Sequence, residues 1–397
     1  MKAEMYLNRI EEKMLSGEFG EVTKKAIEII VKVGEVFGAE RLIDIAHAHI
    51  SGVSYFNIGD EGLELLVDLS QKGAKTRVYT TANPYSFAGL SLYNNEELNR
   101  KQIQITEALI KMGVDPNSFT CIPYTLRKPA IGEHLAWAES SAVIYANSVL
   151  GAFTNRESGI TALMAALIGK TYDSGMHRIE NRTASEEINI EFNINSILLA
   201  SLLGLHIGRL TRGVPYIKAK YSIEKEAMLN LLLKNMLASI ASTSSASMAI
   251  LDGITPPNTY VIDSSIERIH IDEKELYQSI DNMLCKSDVL LLGCPHLTQE
   301  EMLMLLRDEY INIFKKHGIS KIIVTVGANL NIRSAEISNI INKIRERHKI
   351  NVEIMPGSCA IVSNLRLLNM TSVYTPHGKA IHYLYNLSGA KPCIIGV

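Results

Sequence analysis

The chain has 397 residues, 47% hydrophobic and 21% charged, with a formal net charge of −2, which suits a globular protein and leaves no broad basic field for nucleic acid. That length exceeds what one core usually organises, so two or more α/β domains sharing a cleft are expected. The amino terminus lacks the apolar core of a signal peptide, the longest apolar run is too short to span a membrane, and five scattered cysteines argue against a disulfide framework; a cytoplasmic protein with no nucleic-acid or membrane partner is therefore expected.

Apolar positions at helical spacing from residue 8 to 37, among them Ile10, Met14, Val22, Ala26, Ile30 and Val33, predict a helical entry. A short strand is expected over Leu42–Ala46, then a loop over 47–54, a helix from about Gly59 to Gln71 and a strand over Thr76–Tyr79. Proline ends that strand in Thr80-Thr-Ala-Asn-Pro84. An amphipathic helix follows over Glu96–Met112, capped by Gly113, then a short strand over Ser118–Cys121 and a helix over Glu139–Leu150. Residues 185–252 read as mostly helical, and Gly253-Ile-Thr-Pro-Pro-Asn258 as a hinge. The division expected is an N-terminal α/β region with a helical insertion, 1–255, and a C-terminal α/β domain, 256–397. In the latter, strands at Val289–Leu292, Lys321–Val326 and Asn351–Met355 alternate with helices over Thr298–Arg307 and Ser334–His348, which implies a parallel sheet. Its two cysteine loops are expected on one edge.

Cys121, Cys294 and Cys359 each follow an apolar stretch that reads as a buried strand, and strand ends are where open α/β sheets collect ligands. A four-iron cluster normally takes four soft thiolates, so three cysteines would leave one iron open to a substrate hydroxyl. The long intervals between them match no local zinc or ferredoxin pattern, and each taken singly reads first as a small buried hydrophobe. Cys285 and Cys393 are read as structural. Asn83 beside Pro84 is a turn or an amide donor to a carboxylate. Glu139 and Ser140 are capping residues or site groups, and Lys379, at a helix start where the dipole disfavours a cation, is either exposed or an anion ligand.

Several segments together resemble the aconitase X family: His49-Ile-Ser-Gly-Val-Ser-Tyr55, Ile58-Gly-Asp60, Thr80-Thr-x-Asn-Pro84, Cys121-x-Pro-Tyr124, Gly132-Glu-His-x-Ala-Trp-Ala-Glu-Ser-Ser141, Tyr145-Ala-Asn-Ser-Val-Leu-Gly151, Thr154-Asn-Arg-Glu157 and Gly293-Cys-Pro-His296. The resemblance runs from the first helix to the last strand. It implies an aconitase-like α/β fold, with several α/β/α layers and parallel sheets around a shared cleft. It also implies the large subunit of an iron–sulfur hydro-lyase that dehydrates a small anionic hydroxy acid. On this resemblance Cys121, Cys294 and Cys359 hold a 4Fe–4S cluster, and Gly52, Val53, Ser54, Asn83 and Pro84 contact substrate. Glu139, Ser140 and Lys379 are polar groups around the reacting centre. A separate small swivel-domain subunit supplies the proton-abstracting serine.

The family's recognised substrates include mevalonate 5-phosphate in archaea and cis-3-hydroxy-L-proline in bacteria. Asn83-Pro84 and the paired Ser140 and Ser141 favour the first, with (R)-mevalonate 5-phosphate giving trans-anhydromevalonate 5-phosphate. Gly357 stands where family members commonly carry an acidic residue, His377 where they carry a small one, and Phe153 where an arginine is often found. These departures bear on the substrate and keep dehydration of cis-3-hydroxy-L-proline in view; separate alternatives are a non-catalytic iron–sulfur binding or regulatory protein and a three-cysteine zinc site.

Overall fold

The computed structural model describes residues 5–221, 225–263, 265–278 and 285–396; Met1–Glu4, read above as part of the amino terminus, lie outside them. Among the described residues no helix is long and apolar enough to cross a membrane.

A three-stranded parallel sheet organises the first part of the chain, with His47–Ile50 in the middle, Tyr79–Ala82 on one side and Leu135–Trp137 on the other. All four residues of the central strand are buried. The helix Gly159–Ile168 packs on that strand and is apolar nearly all round, as an interior helix must be. The predicted strand and loop over 42–54 are therefore redrawn. Leu42–Asp44 pairs antiparallel with Lys170–Tyr172, and the central strand begins where a loop was expected. Its two histidines disguise it, because a strand buried on both faces is expected to be continuously apolar.

Other expectations shift for local reasons. Residues 8–37 form two helices, Arg9–Ser16 and Glu21–Val36, because Gly17 and Gly20 sit at φ +92° and +90° between them. The strand expected at Thr76–Tyr79 lies at Tyr79–Ala82, and Ser118–Cys121 contributes only a bridge from Ala82 to Phe119. Glu139 caps the short helix Ser140–Tyr145, which widens into a π turn over Ala146–Leu150.

Residues 185–252 are not mostly helical. The strands Ala184–Ile194, Val214–Tyr221, Ile250–Leu251 and Glu267–Ile271 form a parallel sheet that draws on both sides of residue 255. Alternating Ile188, Ile190 and polar neighbours carry the strand period there. The helices Ile197–Leu210 and Glu226–Thr243 pack backbone to backbone, where a Cβ on Gly204 would strike the Met236 carbonyl.

The carboxyl third holds a five-stranded parallel sheet in the order Asn351–Pro356, Lys321–Val326, Val289–Leu297, Ser372–Thr375, Lys391–Ile394. Its first strand in sequence is central, so the winding reverses between that strand and Ser372–Thr375. Such a reversal opens a crevice at the carboxyl ends of the strands. Cys294, on the central strand, and Cys359, after the outer strand Asn351–Pro356, both lie at that end. Cys285 and Cys393, read as structural, form a disulfide that ties the segment before the sheet to its last strand, where no disulfide framework was expected.

Candidate active site

Parallel topology brings most of the singled-out residues to one place. Gly52, Val53 and Ser54 follow the central strand of the first sheet, Asn83 and Pro84 follow Tyr79–Ala82, and Glu139 and Ser140 follow Leu135–Trp137. In the carboxyl sheet Cys294 lies on the central strand, and Lys379 follows Ser372–Thr375 across the crevice. The two parts are stitched together at these ends. Ser54 Oγ donates to the Val362 carbonyl at 2.6 Å, and Tyr85 and the Cys359 loop exchange backbone bonds, Tyr85 N–H to Gly357 and Cys359 N–H to Tyr85.

Glu139 joins the halves. Its Oε1 accepts from the Lys379 ammonium, from Ser141 Oγ at 2.9 Å and from the Ser141 N–H at 3.2 Å; its Oε2 accepts from Asn83 Nδ2 at 2.7 Å. Burial pushes this carboxyl up, but Lys379, Asn83 and the Ser141 N–H outweigh burial and hold it down at about 2. Burial alone would lower the Lys379 pKa; the charges of Glu139 and the neighbouring thiols instead hold it above its usual range. Lys379 is thus neither exposed nor free at its helix start, because the carboxylate offsets the unfavourable dipole. The capping reading of Glu139 is also correct, and the same carboxylate serves both purposes. Among the described residues the Ser140 hydroxyl has no hydrogen-bond partner, and it lies at the first turn of the helix.

Behind Asn83 runs a chain of buried groups. His49 Nε2 is 2.8 Å from Asn83 Oδ1, His49 Nδ1 is 2.7 Å from Thr81 Oγ1, and His47 Nε2 is 2.9 Å from the same hydroxyl. Burial lowers both histidine pKa values, to about 4 for His49, so both rings are neutral. Asn83 Oδ1 can only accept, which puts the proton of His49 on Nε2 and leaves Nδ1 to accept from Thr81. Proton donation therefore runs from His47 through Thr81, His49 and Asn83 to Glu139, and the Asn83 amide is fixed in one orientation.

Three uncommitted cysteines converge beside this network. Burial, then the nearby Glu139 carboxylate, pushes the Cys121 thiol up to about 12; burial and the charge of Cys359 raise Cys294 well above its usual range. Burial raises Cys359 too, against the backbone N–H groups of Val362 and Ile361 and the Lys379 charge, which lower it. Each thiol feels Lys379. Among the described residues no three His, Cys, Asp or Glu side chains are grouped tightly enough to chelate a single ion. A donor set of three free thiols on separate segments, near a buried cation that offsets thiolate charge, nevertheless fits a cluster whose ligand positions lie on different iron atoms.

The departures acquire local explanations. Gly357 sits at φ +65° against Tyr85 and Ala328, a conformation and a space that exclude an acidic side chain. His377 is fully buried and accepts from the Gly293 N–H at 3.0 Å through Nε2, while its Nδ1 faces Asn235 Oδ1 at 2.7 Å; it anchors the residue before Cys294. The Phe153 ring lies 3.8 Å from the Arg182 guanidinium, so a cation is present there after all. Sequence reasoning gave no role to His47, His49, Thr81, His296, Asn235 or Lys234. For His49, Thr81 and His296 a signal existed, since all three stand in the motifs quoted above.

Family models match most of the chain: aconitase X first domain over residues 4–180, second domain over 184–281 and third domain over 287–396. A phosphomevalonate dehydratase large subunit from Thermococcus kodakarensis is 37% identical over 91% of this chain and 90% of its own length. Its counterpart from Methanocaldococcus jannaschii is 36% identical over 96% and 95%. A cis-3-hydroxy-L-proline dehydratase from Pseudomonas aeruginosa is 31% identical over 75% of this chain and 53% of its own length. The crystal structure of Thermococcus kodakaraensis aconitase X in its holo-form superposes with a TM-score of 0.82 at 33% identity, covering 97% of this chain and 96% of that one.

Proposed function

Since the chain belongs to the aconitase X family, we propose that it is the large subunit of a hydro-lyase that converts (R)-mevalonate 5-phosphate to trans-anhydromevalonate 5-phosphate, working with a small subunit. The observation that carries this reading is the convergence of Cys121, Cys294 and Cys359 with the Lys379–Glu139–Asn83 network at the carboxyl ends of two parallel sheets. Relatives named for the phosphorylated substrate support the substrate choice, because they are more similar than those named for hydroxyproline.

A 4Fe–4S cluster held by Cys121, Cys294 and Cys359 would supply an iron with an open position, a Lewis acid for the departing hydroxyl. The chain's own residues do the rest. Lys379 binds an anionic group of the substrate with a second N–H of its ammonium while keeping its bond to Glu139. Glu139, ionised at every pH near neutrality, is too weak a base to take a carbon-bound proton; it aims Lys379 and the Asn83 amide. Gly52, at φ +77°, lets the Gly52-Val53-Ser54 turn approach the ligand with backbone N–H groups, and Pro84 fixes the turn after Asn83. Ser140 Oγ offers a hydroxyl to the ligand. A serine of the small swivel-domain subunit takes the proton from the carbon next to the hydroxyl-bearing one, the hydroxyl leaves as hydroxide while the double bond forms, and the proton passed on from the serine completes the one water lost overall. Burial around the thiols excludes bulk water from this step.

Incubation of the anaerobically reconstituted chain plus small subunit with (R)-mevalonate 5-phosphate, followed by proton NMR, is expected to show a new alkene signal. Cis-3-hydroxy-L-proline should give none. An alkene or imine product only from the hydroxyproline would reverse the substrate assignment.

A further inference from the structure

We infer that His296 is a positioning residue that locks all three cysteine segments into one cradle. It stands two residues beyond Cys294 on the strand Val289–Leu297 and is 1% exposed. Its backbone N–H donates to the Cys121 sulfur at 3.1 Å, across 175 residues of sequence. Its ring reaches both other segments: Nε2 is 2.9 Å from the carbonyl of Ser358, the neighbour of Cys359, and Nδ1 is 3.2 Å from the hydroxyl of Thr120, the neighbour of Cys121. The carbonyl can only accept, so Nε2 carries the proton and Nδ1 accepts from Thr120. The His296 carbonyl in turn accepts from Lys234 Nζ at 2.8 Å. One residue therefore fixes the mutual positions of segments that share no local sequence.

A cluster needs all three sulfurs in place together. Chains in which one segment has drifted are not competent, and apparent affinity falls with the competent fraction. Groups behind the ligands set that fraction, and removing one typically costs roughly 10–100-fold in metal affinity. His296 acts through the cysteines and not on the substrate. The inference rests on the cluster reading given above and adds to it the residue that preorganises the donor set.

The test follows loss of the sulfur-to-iron absorption band under a chelator in reconstituted wild type, His296→Ala, His296→Gln and Thr120→Val, with thermal unfolding recorded beside it. His296→Ala is expected to lose the band roughly 10–100-fold faster than wild type. His296→Gln, whose amide nitrogen falls where Nε2 was and keeps the bond to Ser358, should lie between the two. Thr120→Val, nearly the same shape, removes the hydroxyl shared by His296 Nδ1 and the Ile122 N–H; it should lose the band faster than wild type with only a small fall in Tm, and it carries the test if His296→Ala does not fold. Equal rates in wild type and Thr120→Val, or His296→Gln as fast as His296→Ala, overturn the inference while leaving the cluster reading standing. A wild-type chain that takes up no iron and sulfide removes the cluster reading and this inference with it.

Discussion

Lys379→Met is expected to lower kcat of the two-subunit enzyme by roughly 10²–10³-fold, the usual loss when one preorganised charge is removed from a buried reaction centre. The methionine keeps the length of the side chain and removes only its charge. Lys379 is also half of an ion pair in which both side chains are about nine-tenths buried, so the change reaches stability as well. The Glu139 pKa is about 2 in the folded chain against an ordinary 4.5, so the folded state holds the proton less tightly than the unfolded state. Its contribution, on the order of 3 kcal/mol, is complete above pH 4.5 and is lost as the pH falls towards 2. With Lys379 gone, burial pushes the carboxyl up and that acid loss disappears. Urea unfolding at pH 7 and pH 3 separates the two chains: the wild type should weaken more on acidification. Unchanged kcat in the variant would show that the cation is only structural.

Lys234→Leu should destabilise the chain by roughly 3–5 kcal/mol, the range for breaking a buried ion pair from one side. Lys234 and Glu301 are each 4% exposed at the side chain and meet at 2.6 Å. Removing the ammonium leaves a carboxylate without a counter-charge in the interior and frees the His296 carbonyl. Glu301 also accepts from the Thr298 N–H at 2.8 Å, closing the capping box of the helix Gln299–Leu305. Glutamine can serve that cap without charge. The double variant Lys234→Leu/Glu301→Gln should therefore recover most of the loss, as read by urea unfolding at pH 7. A single variant within 1 kcal/mol of wild type, by about the accuracy of such curves, would mean the pair is solvated.

The carboxyl sheet was legible in the sequence because its strands are continuous apolar runs separated by capped helices, as at Lys321–Val326 and Thr298. The amino-terminal sheet was not, because His47, His49, Thr80 and Thr81 occupy buried strand positions that polarity rules assign to loops. Three of them, His47, His49 and Thr81, build the chain of hydrogen bonds behind Asn83, so local pattern fails where the site imposes polar groups on the core. The candidate residues themselves were named from motifs, but their pairing was not. Nothing in the spacing of Glu139 and Lys379, 240 residues apart, shows that they touch, and nothing local marks Lys234 or Asn235 within an otherwise ordinary helix. The disulfide escaped for the same reason, since Cys285 and Cys393 meet only through the order of the parallel strands.

Iron and acid-labile sulfide in anaerobically purified wild type, Cys121→Ser, Cys294→Ser and Cys359→Ser, set against circular dichroism of each, bear most directly on the central claim. The account predicts iron and sulfide together in the wild type and their loss from all three variants, with the fold retained. Wild-type iron content in Cys294→Ser, the cysteine on the central strand of the carboxyl sheet, would contradict it.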